Sequence, residues 1–85
     1  MSASSTRLLI VDDIADNRII LSRRLARRGY EVVEASGGLE ALDLIARQSF
    51  DVVLLDIMMP DLNGVDVLKR IRESHQPSAL PVIMV

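Results

Sequence analysis

Residues 52–64 read VVLLDIMMPDLNG, in which four apolar residues lead directly into Asp56 and the chain then meets Pro60 and Gly64. Four consecutive Val and Leu residues are typical of a β-strand. Proline and glycine favour a loop after such a strand. A carboxylate is costly to bury without a partner, so this stretch predicts that Asp56 lies at the rim of a sheet, where other groups can reach it.

The rest of the chain alternates between strand-like and helix-like stretches. Apolar runs at 8–11, 30–35 and 82–85 are predicted strands, and the glutamates of the second run favour an edge position in the sheet. Apolar residues at helical spacing predict one helix that begins after Asp13 and ends at Gly29, and two more at 39–47 and 65–73. Strands that alternate with helices predict an α/β fold with a parallel sheet and helices on both faces.

The same spacing predicts which helical residues point inward. Either Asp13 or Asp16 is expected to cap the first helix. The five arginines of this helix, from Arg18 to Arg28, are predicted to form a solvated face, or alternatively a surface that docks a partner. The predicted inward residues of the three helices are Ile14, Leu21 and Leu25, with Ile20 beside them; Leu42, Ile45 and Ala46; and Val65, Leu68 and Ile71.

The composition narrows the class of protein. The chain has 85 residues, of which 49% are hydrophobic, and this is enough for the core of one small domain. A net charge of −2 and only two aromatic residues, Tyr30 and Phe50, argue against direct nucleic-acid binding. The absence of cysteine excludes disulfides and thiolate metal sites. Neither a signal peptide nor a membrane helix is predicted, so we expect no membrane contact, a cytoplasmic location and a flexible polar tail at residues 1–6.

Acidic side chains follow two of the predicted strands. Asp12 and Asp13 come directly after the first strand, and Asp56 comes directly after the third. If these strands are neighbours, three carboxylates meet at one edge of the sheet. Two unit charges about 4 Å apart repel by about 4 kcal/mol at a protein-like dielectric, so such a cluster needs a cation, and oxygen ligands suit Mg²⁺. The simpler alternative is that these aspartates only start turns and cap a helix.

Three stretches together resemble the receiver domain of two-component response regulators: LLIVDD (8–13), VVLLDIMMPDLNG (52–64) and LPVIMV (80–85). The resemblance runs from about residue 7 to residue 85. It combines an acidic pair after the first strand with an aspartate after the third, a proline four residues later and a glycine eight residues later. It implies a flavodoxin-like doubly wound parallel sheet with strands in the order 2-1-3-4, and a partial receiver domain at residues 7–85 that lacks the fifth strand and the last two helices.

The resemblance also implies a role for each residue of the acidic site. Asp56 is implied to be the phosphoacceptor. Asp12, Asp13 and Asp56 are implied to bind Mg²⁺, or Mn²⁺, and the backbone carbonyl of Met58 is implied to complete the protein's share of the metal ligands. In this reading the carboxylate attacks a phosphoryl group, and the protein positions the reactants and neutralises charge.

Pro60 and Gly64 are implied to shape the loop that presents Asp56. The implied function is a signalling switch, not a separate enzyme, that receives its phosphoryl group from a sensor histidine kinase or a histidine phosphotransfer protein.

In this family a hydroxyl residue and a lysine that bind the phosphoryl group follow the fourth strand, beyond residue 85. The alternative is therefore a truncated or degenerate receiver that acts only as a protein-interaction or dimerisation module. We expect the 85-residue chain to form a homo-oligomer, because a missing helix would leave apolar residues exposed.

The sequence lacks the residues that four other kinds of site would need. A phosphatase of the haloacid-dehalogenase type needs a second aspartate two residues after its nucleophile, where this chain has Met58. A calcium loop that starts at Asp61 would need glycine at its sixth place and glutamate at its twelfth, and has neither. Gly37 and Gly38 are not followed by the Lys-Ser/Thr of a phosphate loop. His75 stands alone in a polar linker, without the partners of a metal site.

Overall fold

Seven elements alternate along the chain in the computed structural model, which describes residues 6–85. The strands are β1 (Arg7–Val11), β2 (Glu31–Ala35), β3 (Val52–Leu55) and β4 (Val82–Met84). The helices are α1 (Ala15–Arg27), α2 (Gly38–Arg47) and α3 (Gly64–Arg72). Except for Thr6, the predicted tail at residues 1–6 lies outside the described residues. Within residues 6–85, no helix combines the length and the apolar character needed to cross a membrane.

The four strands form one parallel sheet in the order β2-β1-β3-β4, which confirms the predicted order. β1 pairs with β2 on one side and with β3 on the other, so that Val11 lies between Ala35 and Leu55. β2 is at an edge of the sheet, as its glutamates indicated. Because β1 and β3 are neighbours, the residues that follow them lie side by side.

β1, which has a neighbouring strand on each side, is buried on both of its faces. Along β1, Leu9 and Val11 pack into the main core, whereas Leu8 and Ile10 are buried on the opposite face, which α1 covers. This explains why residues 8–11 are a continuous apolar run and do not alternate with polar residues. The main core joins strand residues to α2 and α3; its most buried members are Leu9, Val11, Val53, Leu55, Ala41, Val67 and Ile71.

The inward faces of α2 and α3 differ from the predicted ones. In α2, Ala41 and Ile45 are buried whereas Ala46 is exposed, and in α3, Val67 is buried whereas Val65 is exposed. Each buried stripe begins at the glycine that opens the helix and continues three and seven residues later. Glycine carries no hydrophobic signal, so the start of each stripe was missed. Ile45 and Ile71 are buried as predicted, Leu42 and Leu68 are half-buried against the main core, and only Ala46 and Val65 were predicted wrongly.

α1 is less buried than its apolar residues predicted. Leu21 and Leu25 are half-buried, whereas Ile14 and Ile20 are exposed, and no residue of this helix is fully buried. The predicted caps are also wrong: the residue before the helix is Ile14, and neither Asp13 nor Asp16 accepts a capping hydrogen bond. The helix ends as predicted before a glycine, Gly29, whose φ of +96° suits a residue without a side chain.

Candidate functional site

Backbone hydrogen bonds fix the positions of two aspartates at the carboxyl edge of the sheet. The N–H of Asp56 donates to the carbonyl oxygen of Val11 at 3.0 Å, and the N–H of Asp12 donates to that of Ala35 at 3.1 Å. The strand pairing therefore continues one residue past each strand. As a result, Asp12 and Asp56 lie next to each other on a rigid part of the backbone.

The structure brings together the three carboxylates that the sequence singled out. One oxygen from each of Asp12, Asp13 and Asp56 lies within 4.8 Å of the others, and we call these residues the acidic cluster. Asp12 and Asp56 are half-buried, whereas Asp13 is exposed. The cluster is therefore anchored at the sheet and open to solvent at one side.

Local hydrogen bonds orient two of these carboxylates in the same way. Asp12 Oδ1 accepts the N–H of Ile14 at 2.9 Å, and Asp56 Oδ1 accepts the N–H of Met58 at 3.1 Å. Each bond spans two residues and makes an Asx turn, which leaves the second oxygen of the carboxylate with no described partner. The turn-forming alternative is thus part of the arrangement and compatible with ligand binding.

The donor set of the acidic cluster fits a hard divalent cation. Mg²⁺ prefers carboxylate oxygens, keeps several waters, and needs only one or two protein carboxylates plus ligand oxygens. The cluster offers carboxylate oxygens only, with unused acceptors and an open side. Asp12, Asp13 and Asp56 would hold such an ion. The roles of Met58, Pro60 and Gly64 remain predictions.

Arg18 is a residue of this region whose place the sequence analysis missed. It was assigned to a solvated face, yet its side chain is only 15% exposed. Its Nη1 donates to the backbone carbonyl oxygen of Asp12 at 2.7 Å, and its Nε donates to Glu34 Oε1 at 3.0 Å. Its position four residues after Ile14 and three before Leu21 is a signal that could have placed it on the inner side of α1.

Several contacts hold the β3–α3 loop, which comprises residues 56–63 and begins with Asp56. Met59 is buried in the main core. The N–H of Gly64 donates to the carbonyl oxygen of Ile57 at 2.9 Å and closes the loop. A Cβ at Gly64 would lie 2.5 Å from the carbonyl oxygen of Asp56, so any side chain there would displace that residue.

Comparison with known proteins agrees with this geometry. The family model of the response regulator receiver domain matches residues 8–85. The probable transcriptional regulator ycf27 of Guillardia theta is 51% identical over 78 residues, which are 92% of this chain and 30% of ycf27. The sensor protein EvgS of Escherichia coli K12 is 39% identical over 75 residues, which are 88% of this chain and 6% of EvgS. The chain thus spans less than a third of the length of either curated relative.

A solved structure shows the same fold. The crystal structure of the response regulator TrrA from Thermotoga maritima, in complex with Mg²⁺ and BeF, superposes with a TM-score of 0.87 at 35% identity, covering 93% of this chain and 67% of TrrA. Because the family model matches nearly the whole chain and a solved response regulator has the same architecture, the chain belongs to the receiver domains of two-component response regulators.

Proposed function

We propose that this receiver domain accepts a phosphoryl group on Asp56 with the help of Mg²⁺ or Mn²⁺, and that it acts as a switch and not as an enzyme with a separate substrate. The observation that carries the proposal is the acidic cluster, in which oxygens of Asp12, Asp13 and Asp56 lie within 4.8 Å of one another. The complex of the similar protein TrrA with Mg²⁺ and BeF supports it, because beryllofluoride is an analogue of a phosphoryl group.

Each residue of the acidic cluster has its own role in the proposed phosphoryl transfer. Asp56 keeps one oxygen on the N–H of Met58, so its second oxygen is available as the nucleophile. That oxygen forms a bond to phosphorus while the bond between phosphorus and the donor's imidazole nitrogen breaks, and the imidazole leaves with the electron pair. Asp12, Asp13 and Asp56 would hold the cation, to which the backbone carbonyl of Met58 would add a ligand. When bound, the cation neutralises charge on the phosphoryl oxygens.

The decisive experiment uses beryllofluoride or acetyl phosphate together with Mg²⁺. We expect beryllofluoride or acetyl phosphate to change the amide chemical shifts around residues 56–64 of the wild-type chain, beyond the change that Mg²⁺ causes alone, only when Mg²⁺ is present. Asp56→Asn should abolish the response, because a neutral amide is neither a nucleophile nor a comparable ligand. Asp16→Asn, at an exposed aspartate outside the acidic cluster, is the matched control and should respond like the wild type. A response that survives in Asp56→Asn contradicts the proposal.

We infer that the phosphodonor is a sensor histidine kinase or a histidine phosphotransfer protein, and that the transfer takes place in the cytoplasm. The similarity to a segment of a sensor protein supports a place in such a system. Arg23 and Arg27 are exposed one turn apart on α1 and offer positive charge to a partner. Reversing both to Glu should slow transfer from a phosphohistidine protein and leave acetyl phosphate labelling unchanged. Equal loss in both assays would count against docking at this helix.

The second candidate function is that of an interaction or dimerisation module without phosphotransfer. The observation that favours it is the exposure of Ile83 and Val85, on and beside β4, which pairs with β3 alone among the described strands. A second copy of the chain would cover this edge. Indifference of the wild type to Mg²⁺ and beryllofluoride would favour this candidate over the first.

A further inference from the structure

Asp61 connects the β3–α3 loop to a helix that is distant in the sequence. Its carboxylate accepts the N–H of Leu39 at 3.2 Å and the N–H of Gly38 at 3.3 Å, both in the first turn of α2. The residue before this helix, Gly37, has no side chain with which to cap it. Asp61 therefore provides the cap from another part of the chain, and its charge lies at the positive end of the helix dipole.

The electrostatic environment agrees with this role. Backbone hydrogen bonds hold the pKa of Asp61 below its ordinary value. The N–H of Leu39 has the largest effect, followed by the N–H groups of Gly38 and Leu62. Asp61 is thus ionised at neutral pH and pairs its charge with three N–H donors, the bond from Leu62 being 2.8 Å long. Such charge-assisted bonds are stronger than bonds between neutral groups.

Gly37 and Gly38, at the start of α2, provide the room that this contact needs. A Cβ at Gly37 would lie 2.9 Å from Asp61 Oδ2, and all three of its nearest atoms would belong to Asp61. The φ of Gly37 is −173°, an extended conformation that any residue adopts. The carboxylate, and not the backbone conformation, therefore excludes a side chain at Gly37. At Gly38 the nearest atom would be Val67 Cγ2 at 2.7 Å, so α3 also approaches closely.

This contact acts on the segment that carries the phosphoacceptor. Asp61 follows Asp56 by five residues in the same loop. Between them, the N–H of Met58 donates to Asp56 Oδ1, and the loop is closed by the bond from Gly64 to Ile57. A loop that is short and fixed at both of its ends has few conformations left, so a fixed point at Asp61 restricts the backbone near Asp56.

We propose that Asp61 is a positioning residue for the phosphoacceptor: by capping α2 it holds the β3–α3 loop in the conformation that aims Asp56 at Asp12 and Asp13. The inference deepens the proposed function and rests on it, because positioning has a purpose only if Asp56 binds metal and phosphoryl group. Groups that orient metal ligands without touching the ion commonly change metal affinity by about 10- to 100-fold.

The first test compares Asp61→Ala, Asp61→Asn and the control Asp43→Ala. The control removes an exposed carboxylate of α2 whose ion pair, among the described residues, is with Arg47. We expect Asp61→Ala to weaken Mg²⁺ binding by about tenfold and to accelerate amide exchange at Gly64 in the metal-free protein. Asp61→Asn keeps one oxygen acceptor but replaces the other with an NH₂ group, which cannot accept an N–H of α2, so it should recover only part of both losses. Asp43→Ala should change neither, and slow exchange in β3 would show that every variant is folded.

The second test is a double-mutant cycle with Gly37→Ala. In the wild-type background the new methyl group would push Asp61 away and reproduce the effects of Asp61→Ala. In the Asp61→Ala background the methyl group meets no carboxylate, so it should add nothing. Additive effects of the two substitutions, or unchanged exchange at Gly64 in Asp61→Ala, would overturn the inference. A wild-type chain that binds no Mg²⁺ would instead refute the proposed function, while the metal-free exchange rates would still decide whether Asp61 holds the loop.

Discussion

Arg18 donates a hydrogen bond of 2.7 Å from its Nη1 to the backbone carbonyl oxygen of Asp12, the first residue of the acidic cluster. The same guanidinium forms an ion pair with Glu34 of β2 at 3.0 Å. Arg18 therefore fastens the turn between β1 and α1 to the neighbouring strand. Because the guanidinium is mostly buried, it also brings a positive charge close to a site that otherwise consists of carboxylates.

Replacing Arg18 should disturb the metal site without a direct contact to the metal. We expect Arg18→Ala to weaken Mg²⁺ binding by about tenfold, because the backbone of Asp12 loses the bond that holds it. Arg18→Lys should recover only part of the loss, since an ammonium group cannot reproduce the fork that reaches two acceptors. Isothermal titration with Mg²⁺ measures this. Arg24→Ala, at an exposed arginine of the same helix, serves as the control, and equal affinities of Arg18→Ala and the control would refute the prediction.

Gly64 should be intolerant of any side chain because it packs against the backbone of Asp56. A Cβ there would lie 2.5 Å from the carbonyl oxygen of Asp56 and 2.8 Å from the Cα of Ile57, and neither atom is at the end of a flexible side chain. Overpacking of this kind costs about 1–3 kcal/mol. We expect Gly64→Ala to lower the free energy of unfolding by about that amount and to abolish the response to Mg²⁺ with beryllofluoride.

Gly29→Ala tests the effect of an unfavourable backbone conformation without the effect of close packing that Gly64→Ala has. Its φ of +96° makes a side chain unfavourable, yet a Cβ would meet nothing within 4 Å. The variant should lose about 1 kcal/mol of stability and keep the full response to Mg²⁺ with beryllofluoride. Urea unfolding and the chemical-shift assay measure both quantities. If Gly64→Ala also kept the response, close packing at Asp56 would not be required by the site.

Most of the fold and the residues of the acidic cluster could be predicted from the sequence, because the patterns that indicate them are local. Apolar runs of strand length, helical spacing and aspartates at strand ends can each be read within about ten residues. The rule that parallel strands place their carboxyl ends at one edge then brings Asp12 and Asp56 together. The adjacency of β1 and β3, which this step also requires, was implied by the resemblance to receiver domains and not by local patterns.

The residues that the sequence analysis missed depend on contacts between elements. Asp61 was considered only as the start of a calcium loop, because its partners Gly38 and Leu39 lie more than twenty residues earlier. Val65 was predicted to be inward because nothing local showed that Gly64 opens the buried stripe of α3. In each case the environment is set by a neighbouring element, and local patterns do not contain that information.

Glu40 should make a contribution to stability that depends on pH. Its carboxylate accepts the backbone N–H of Ser36 at 2.6 Å and the hydroxyl of Ser36 at 3.0 Å. The backbone bond first, and then the hydroxyl, lower the pKa of Glu40 below its ordinary value of 4.5. A lowered pKa in the folded state means that the contribution is fully present above pH 4.5 and is lost as the pH falls through the folded value.

Glu40→Gln tests the sign of this dependence because glutamine keeps the acceptor oxygen and removes the charge. At neutral pH we expect the variant to be less stable by about 0.5 kcal/mol, a small value because the group is exposed and screened. The difference should shrink toward zero below pH 4.5 as the wild-type carboxylate becomes protonated. Urea unfolding of both proteins across this range is the measurement. A difference that does not change with pH would show that the charge has no role.

The open side of β4 predicts self-association of the 85-residue chain. Ile83 is 54% exposed and Val85 is 68% exposed, on the face of the sheet where α1 covers β1 and β2. Unpaired strand edges and exposed apolar side chains both favour pairing with a second copy. We expect light scattering at micromolar concentration to give at least the mass of a dimer.

Ile83→Lys should shift that equilibrium toward the monomer, because a lysine on an edge strand opposes pairing with another edge. The control is Leu39→Lys, which places the same charge at an exposed apolar residue in the first turn of α2, a helix that packs mainly on β1, β2 and α3, and should leave the measured mass unchanged. Comparing the two variants distinguishes an interface at β4 from a general effect of added charge on association. A wild-type chain that is a monodisperse monomer, or equal masses for the two variants, would contradict an interface at this edge.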